Sequence, residues 1–242
     1  MGMAVSLDLA DDLPDAELAA AADEVFAWLA TVDGRFSTYR PDSEVCRLDT
    51  GALAPDGCSP DVRAVLDRCA ALRAETGGYF DAYATGRLDP SGYVKGWAVQ
   101  VASDRLVAAG LRNHCLNAGG DVRLRGGPAA DRGWRVGVRH PWEEHQVCWV
   151  IAGTDLAVAT SGTYERGHHV VDPHRGVPAR DLRSVTVVGP DLGTADAYAT
   201  AALAMGLPAI GWLAGLAAGR GYESGVVTED GRCFRSAGLP TV

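Results

Sequence analysis

Two hydrophobic periodicities succeed each other along this chain in blocks, without regular alternation, and that order restricts its fold more than any other feature. Val5 to Leu9 alternates apolar and polar residues, as an opening strand does. Pro14 through Val32 is Ala-rich and amphipathic, with Leu18, Val25, Phe26 and Leu29 on one helical stripe and Pro14 suited to the first turn. Ser59-Pro60-Asp61 starts a second helix that Gly77-Gly78 stops, and Lys95 to Ala109 forms a third, ended by Gly110. Short strands are expected at His114 to Asn117 and Asp121 to Leu124. More follow at Trp134 to Val138, Val147 to Ala152, Leu156 to Ala159, His168 to Val171 and Ser184 to Val188. Two helices come next, Ala195 to Met205 capped by Thr194 and Gly206, then Pro208 to Ala218. Val226 to Thr228 and Arg232 to Arg235 make a closing hairpin around Glu229-Asp230-Gly231. Blocks of this kind favour an α+β architecture over a doubly wound sheet. No linker-like stretch interrupts them, so residues 1–242 read as one domain.

Charge and composition narrow the function. The chain is 47% hydrophobic and 22% charged, ordinary for a soluble protein with an ample core. Its 30 glycines exceed average usage and imply many tight turns and close backbone approaches. A net charge of −9 argues against nucleic-acid binding, which relies on Lys and Arg to neutralise phosphates. For the same reason a polyphosphate ligand must be met by a local cation and not by the protein's overall field. Met1 to Leu7 has neither a basic stretch nor a long apolar run, and no later segment reaches the roughly 18 apolar residues that span a bilayer. No membrane association is expected, and a cytoplasmic location follows. Cys46, Cys58, Cys69, Cys115, Cys148 and Cys233 are scattered without a CxxC pair, which suits reduced thiols better than a zinc or disulfide framework.

Four segments carry chemistry. In Thr194-Ala195-Asp196-Ala197-Tyr198-Ala199-Thr200, Asp196 and Thr200 are four apart and share a helical face. They offer two hard oxygens of the kind Mg²⁺ takes, with phosphates and waters completing the octahedron; an ordinary helix with a polar first turn gives the same spacing. Asp81 to Thr85 repeats five of those letters, but Gly86 and Pro90 behind it mark a loop. In Asp89 to Gly96, a Gly-containing turn opens a helix, points backbone N–H groups at an anion and adds Lys95 as a mobile charge. It lacks P-loop spacing, and a plain solvated lysine is the competing reading. Asn117-Ala118-Gly119-Gly120-Asp121 either lets backbone approach a flat or phosphorylated ligand or simply turns a hairpin. In His168-His169-Val170-Val171-Asp172-Pro173-His174, strand geometry sends His168 and His169 to opposite faces, against a metal cluster. His169 alone can serve as a general base. His140 to His145 lacks the HExxH order and reads as a surface loop.

Taken in order, these segments resemble the FAD:protein FMN transferase (ApbE) family over nearly the whole chain. The resemblance runs through Met1-Gly2-Met3, Phe36 to Glu44, Gly78-Tyr79-Phe80-Asp81, Asp89 to Gly96, and Asn117 to Asp121. It continues through Thr160 to Arg166, His169 to Pro173 with Gly176, and Ala195 to Thr200 closing on Met205-Gly206. It implies a T-fold-like architecture and a Mg²⁺ site made by Asp196, Thr200 and the Gly92 carbonyl. It further implies a FAD site lined by Tyr39, Phe80, Asp81, Asp89, Lys95 and Gly119, with His169 near the pyrophosphate as a candidate base. Pro90, Ser91, Tyr93 and Val94 depart from the family pattern, and Gln100 stands where an Asp is common. The connection from Asp81 to Asp89 is shorter than the family's usual one.

The activity implied is Mg²⁺-dependent transfer of FMN from FAD to a Thr or Ser hydroxyl of an acceptor flavoprotein, with AMP released. A FAD pyrophosphatase would use the same residues with water as acceptor. A non-catalytic FAD-binding protein is the alternative from a different class, motivated by the short 82–88 connection.

Overall fold

The computed structural model describes residues 2–143, 145–163, 167 and 170–242. The first half is helical: β1 (Val5–Leu9) is followed by α1 (Asp15–Phe36), α2 (Glu44–Asp49), α3 (Pro60–Glu75) and α4 (Ser91–Ala108). Then come β2 (His114–Ala118), β3 (Asp121–Arg125), β4 (Trp134–Arg139), β5 (Val147–Gly153) and β6 (Asp155–Gly162). Next are the short β7 (Val171–Asp172) and β8 (Val177–Pro178), then β9 (Leu182–Gly189). The chain closes with α5 (Leu192–Met205), α6 (Ala209–Arg220), β10 (Glu223–Thr228) and β11 (Cys233–Arg235). The expected blocks are present and the class is α+β.

Seven strands form one antiparallel sheet in the order β1-β2-β3-β6-β9-β10-β11. Period-2 alternation assigns each strand two faces. One face, with Leu116, Ala157, Ala159, Val185 and Val187, joins the main core under the helices. The other, with Val122, Leu124, Val158 and Val188, is covered by the β4–β5 hairpin through Val138 and Ile151. Helix α5 is buried on nearly every side, with Leu192 through Ala199 all inaccessible. An apolar run with no polar face belongs in a core.

Several boundaries differ from expectation for local reasons. Helix α4 begins four residues early, because Asp89 Oδ1 accepts from the Ser91 N–H at 3.0 Å and Pro90 O accepts from Tyr93 and Val94. The cap of α5 is Asp191, not Thr194; its side chain accepts from the Thr194 N–H at 2.7 Å. Helix α2 has no long apolar pattern to announce it and is started by the Ser43 hydroxyl, which accepts from the Cys46 N–H at 3.0 Å. The strand expected over His168 to Val171 falls partly outside the described residues, since His168 and His169 are not among them, and β7 begins at Val171. All six cysteines are free, and burial pushes the Cys69 thiol up to about 12. Among the described residues no helix is long and apolar enough to cross a membrane.

Helices α4 and α5 meet backbone to backbone. A Cβ on Gly96 would stand 2.5 Å from the Leu192 carbonyl oxygen and 2.9 Å from Asp196 Cβ. One on Gly193 would stand 2.7 Å from the Tyr93 ring and 3.2 Å from the Trp97 nitrogen. Backbone cannot swing aside as a flexible side chain can, so both glycines are required by the approach itself. Gly96→Ala is expected to lower stability by about 1–3 kcal/mol, seen as a fall in the urea midpoint. An unchanged midpoint would mean that the two helices part without cost.

Candidate functional site

One cavity of about 780 Å³ opens where the C-terminal end of α1, the 79–89 connection, the start of α4 and the middle of α5 converge. Its size lies within the roughly 300–1,000 Å³ typical of ligand pockets. Tyr39, Phe80, Asp81, Asp89 and Lys95 all line it, as do Gly92, Gly119, Asp196 and Thr200. Sequence separations of more than a hundred residues are thus closed into one space. His169 lies outside the described residues; Val170 and Val171, which follow it, line the cavity.

The floor is charged. Asp196 is buried, and its Oδ2 accepts from the Gly96 N–H at 3.0 Å. Regular helical bonding directs that same N–H at the Gly92 carbonyl, so the carboxylate lies beside the Gly92 turn of α4. Lys95 Nζ stands 2.8 Å from Asp121 Oδ2 and 4.0 Å from Asp196 Oδ1. Asp121 is fully buried, and its Oδ1 accepts from the Thr160 N–H at 3.2 Å. Burial, and then the Asp121 carboxylate, push the Asp196 carboxyl well above the usual carboxylate range, against the pull of Lys95 and the Gly96 N–H. The floor therefore sets two carboxyl groups around the single ammonium of Lys95, and the ionised form of Asp196 is disfavoured. Thr200 lies one turn above Asp196, with its hydroxyl 3.2 Å from Ser161 Oγ.

The opposite side of α5 is fixed independently. Glu75 accepts from Arg68 at 2.6 Å, from the Tyr198 hydroxyl at 2.7 Å and from Arg220 at 2.9 Å. Gln100, where an Asp would fit the family pattern, accepts from the Leu192 N–H at 3.1 Å and donates to Asp104. Helix α5 is thereby held at its start and along its back, which sets the direction of Asp196 and Thr200.

The walls are aromatic and polar. Phe80 is buried, its N–H bonded to the Thr76 hydroxyl at 2.9 Å, whereas Tyr39 is 93% exposed at the mouth. Asp81 pairs with Arg73 at 2.9 Å and accepts from the Tyr83 N–H, turning the loop that the sequence suggested there. The short 82–88 connection is stapled to α2: Asp49 accepts from the Leu88 N–H at 2.8 Å and from Arg87 at 3.2 Å. Gly119 and Gly120 turn the β2–β3 hairpin, with Asn117 Oδ1 accepting from the Gly120 N–H at 3.0 Å. Gly119 also lies against Met3 and lines the cavity. His174 reaches across to the neighbouring wall, 3.0 Å from the Gly77 carbonyl and edge-on to the Tyr79 ring at 4.5 Å.

Asp121 and Ser161 are the residues that sequence reasoning left without a role. Both sat inside segments already singled out, but spacing alone does not reveal a buried charge or a hydroxyl aimed at another strand's neighbour. Among the described residues no group of three or more His, Cys, Asp or Glu side chains could hold a metal ion. A cation on this floor would therefore rely on few protein ligands.

The pattern of the ApbE family matches residues 1–86 and 82–219. Among curated relatives, the FAD:protein FMN transferase of Vibrio cholerae is 35% identical over 129 residues, covering 49% of this chain and 39% of that one. The Rhodobacter capsulatus protein of the same name is 39% identical over 123 residues, 48% of this chain and 23% of that one. That of Treponema pallidum is 26% identical over 265 residues, 80% and 73%. The matched parts thus span well under half the length of the first two relatives. Among solved structures, the flavin transferase ApbE from Vibrio cholerae superposes with a TM-score of 0.84 at 23% identity, covering 100% of this chain and 96% of that one. The ApbE protein from Thermotoga maritima gives 0.84 at 23%, covering 98% and 94%. These likenesses establish the fold.

The charged floor makes its own prediction. A carboxyl held above its unfolded-state pKa favours folding at acid pH and opposes it once pH rises through the folded-state value. Asp196→Asn is therefore expected to raise the melting temperature of the metal-free protein at neutral pH, by about 2–4 °C per kcal/mol relieved. The gain should shrink as pH falls and vanish only near the ordinary carboxylate value of 3.8. A lower melting temperature at both pH values would contradict this account of the floor.

Proposed function

The chain belongs to the ApbE family, and from that premise we propose that its cavity binds FAD and that the protein transfers the FMN half to a Thr or Ser hydroxyl of an acceptor flavoprotein, releasing AMP. The observation that carries the reading is the juxtaposition of Asp196, Thr200 and Lys95 on one floor beneath Phe80 and Tyr39. The names of the matched relatives support it. Lys95 would face the diphosphate, Phe80 and Tyr39 would flank the flavin, and Asp81, Asp89 and Gly119 would line the rest of the dinucleotide.

The donor set fits Mg²⁺. The Asp196 carboxylate, the Thr200 hydroxyl and the Gly92 carbonyl are hard oxygens, the class this ion prefers. They are also close together, since a Cβ on Gly92 would stand 3.3 Å from Thr200 Oγ1. Burial of Asp196 beside Asp121 leaves the floor short of positive charge. Those three residues would hold the ion, which when bound supplies positive charge against the diphosphate oxygens.

In the transfer, the acceptor hydroxyl oxygen bonds to the FMN phosphorus and the anhydride bond to AMP breaks. AMP leaves with that electron pair. His169 is assigned the hydroxyl proton as general base. The floor would hold the phosphorus in place while the exposed mouth admits the acceptor residue.

The test is an incubation with FAD and Mg²⁺, with and without a flavin-acceptor domain, read by intact mass and nucleotide chromatography. A stoichiometric gain of FMN on the acceptor, matched by AMP, is expected. Free FMN formed regardless of acceptor would replace the transferase by a FAD pyrophosphatase, and intact bound FAD by a carrier. Asp196→Ala should lower FAD cleavage by at least about 10³-fold without unfolding the protein. His169→Ala should be milder, about 10²-fold. Wild-type rates in the first variant would overturn the metal assignment.

A further inference from the structure

A polypeptide acceptor can present its hydroxyl from an extended segment, and the sheet offers one edge that lies beside the cavity lining. We infer that the free edge of β1 is the docking strand for the acceptor, which adds to the sheet as an extra strand and runs its hydroxyl residue into the cavity past Met3 and Gly2. This inference rests on the transferase reading.

Strand β1 ends the seven-stranded sheet and pairs only with β2. The bonds Gly119 N–H to Ala4 O and Ala10 N–H to Asn113 O fix the phase of that ladder. Antiparallel pairing alternates inward-bonded and outward-facing residues, so Ala4, Ser6, Asp8 and Ala10 bond to the β2 side. Val5, Leu7 and Leu9 then point their N–H and C=O groups outward, and among the described residues none of these groups has a partner. The side chains of the same three residues pack against the main core, which keeps the edge flat and rigid.

Natural edge strands are usually blunted by a bulge, a proline, a charged side chain or shortness. Val5-Ser6-Leu7-Asp8-Leu9 has no bulge, proline or lysine and an unbroken register with β2, and Asp8 is its one charge. The far edge differs. Strand β11 has three residues, and neither it nor β10 contributes to the cavity. At the β1 edge, by contrast, the chain bends at Met3 just before the strand, and Gly2, Met3 and Gly119, which lies across from Ala4, all line the cavity. At about 3.4 Å per residue, a hydroxyl two or three residues beyond the position opposite Val5 reaches the cavity. Main-chain bonding of this kind tolerates varied side chains. The exposed Asp8 carboxylate sets the one preference, for an uncharged or basic residue beside it.

The test uses the full chain, FAD, Mg²⁺ and a flavin-acceptor domain, both intact and with its acceptor Thr changed to Val so that it binds without reacting. Amide hydrogen exchange is followed residue by residue. The Val5, Leu7 and Leu9 amides should exchange on the order of tenfold more slowly with the Thr→Val domain than with FAD alone, while Ser6 and Asp8 are slow throughout. Leu7→Pro removes an outward N–H, a place where a strand tolerates proline, together with a side chain that packs on the core. It should raise the acceptor KM for flavinylation on the order of tenfold and leave FAD affinity unchanged. Unaltered exchange at all three amides overturns the docking edge even if flavinylation proceeds, as does parental flavinylation by a folded Leu7→Pro protein. Slowed exchange without any acceptor would assign the edge to a second copy of this chain instead. Absence of flavinylation by the unaltered protein overturns the transferase reading itself, and the inference with it.

Discussion

The bond from the Gly96 N–H to the Asp196 carboxylate organises the rest of the molecule. It joins two helices a hundred residues apart in sequence, at a point where neither can carry a side chain larger than hydrogen without driving them apart. Its donor is the N–H that regular helical bonding directs at the Gly92 carbonyl, which places the carboxylate beside that turn of the helix. It also buries a carboxyl whose ionised form Lys95 only partly offsets, since Lys95 lies closer to Asp121 than to Asp196. A carboxylate kept in such a place is costly to the empty protein, and that cost is the physical basis for proposing that a cation and a polyphosphate belong there.

The acidic character of the chain fits this arrangement. With a net charge of −9, the protein's overall field disfavours a diphosphate. Affinity for the proposed diphosphate would then come from within a few ångströms, from Lys95, from the start of α4 and from the proposed ion. The remaining structure serves to hold those groups still. Glu75 with its three donors fixes the back of α5, Gln100 its start, and Asp49 the short connection that leaves the mouth open to Tyr39.

Much of this was legible from sequence, unevenly and for identifiable reasons. The α+β class followed from blocks of period 2 and period 3.6, and most strands fell within a residue or two of their expected ends. Helix α2 was missed because six residues cannot display a stripe, and the cap of α5 was misplaced because Asp191 and Thr194 both look like caps until the bond between them is seen. Motif residues pointed to one cavity because each segment individually tolerated a ligand reading. Periodicity could not show that Asp121 lies under Lys95, or that Ser161 meets Thr200, since both contacts cross between distant elements. The need for Gly96 and Gly193 was equally hidden, because a helical glycine looks like a defect until the second helix is in place.

The central claim is that the buried carboxylate couples cation and dinucleotide in one site, and thermodynamic linkage makes this measurable. The most direct measurement is the FAD dissociation constant by calorimetry across a Mg²⁺ titration, in the unaltered protein and in Asp196→Asn. The account predicts that Mg²⁺ tightens FAD binding by at least about tenfold in the first and has little effect in the second. FAD affinity that is the same with and without Mg²⁺ in the unaltered protein would contradict it.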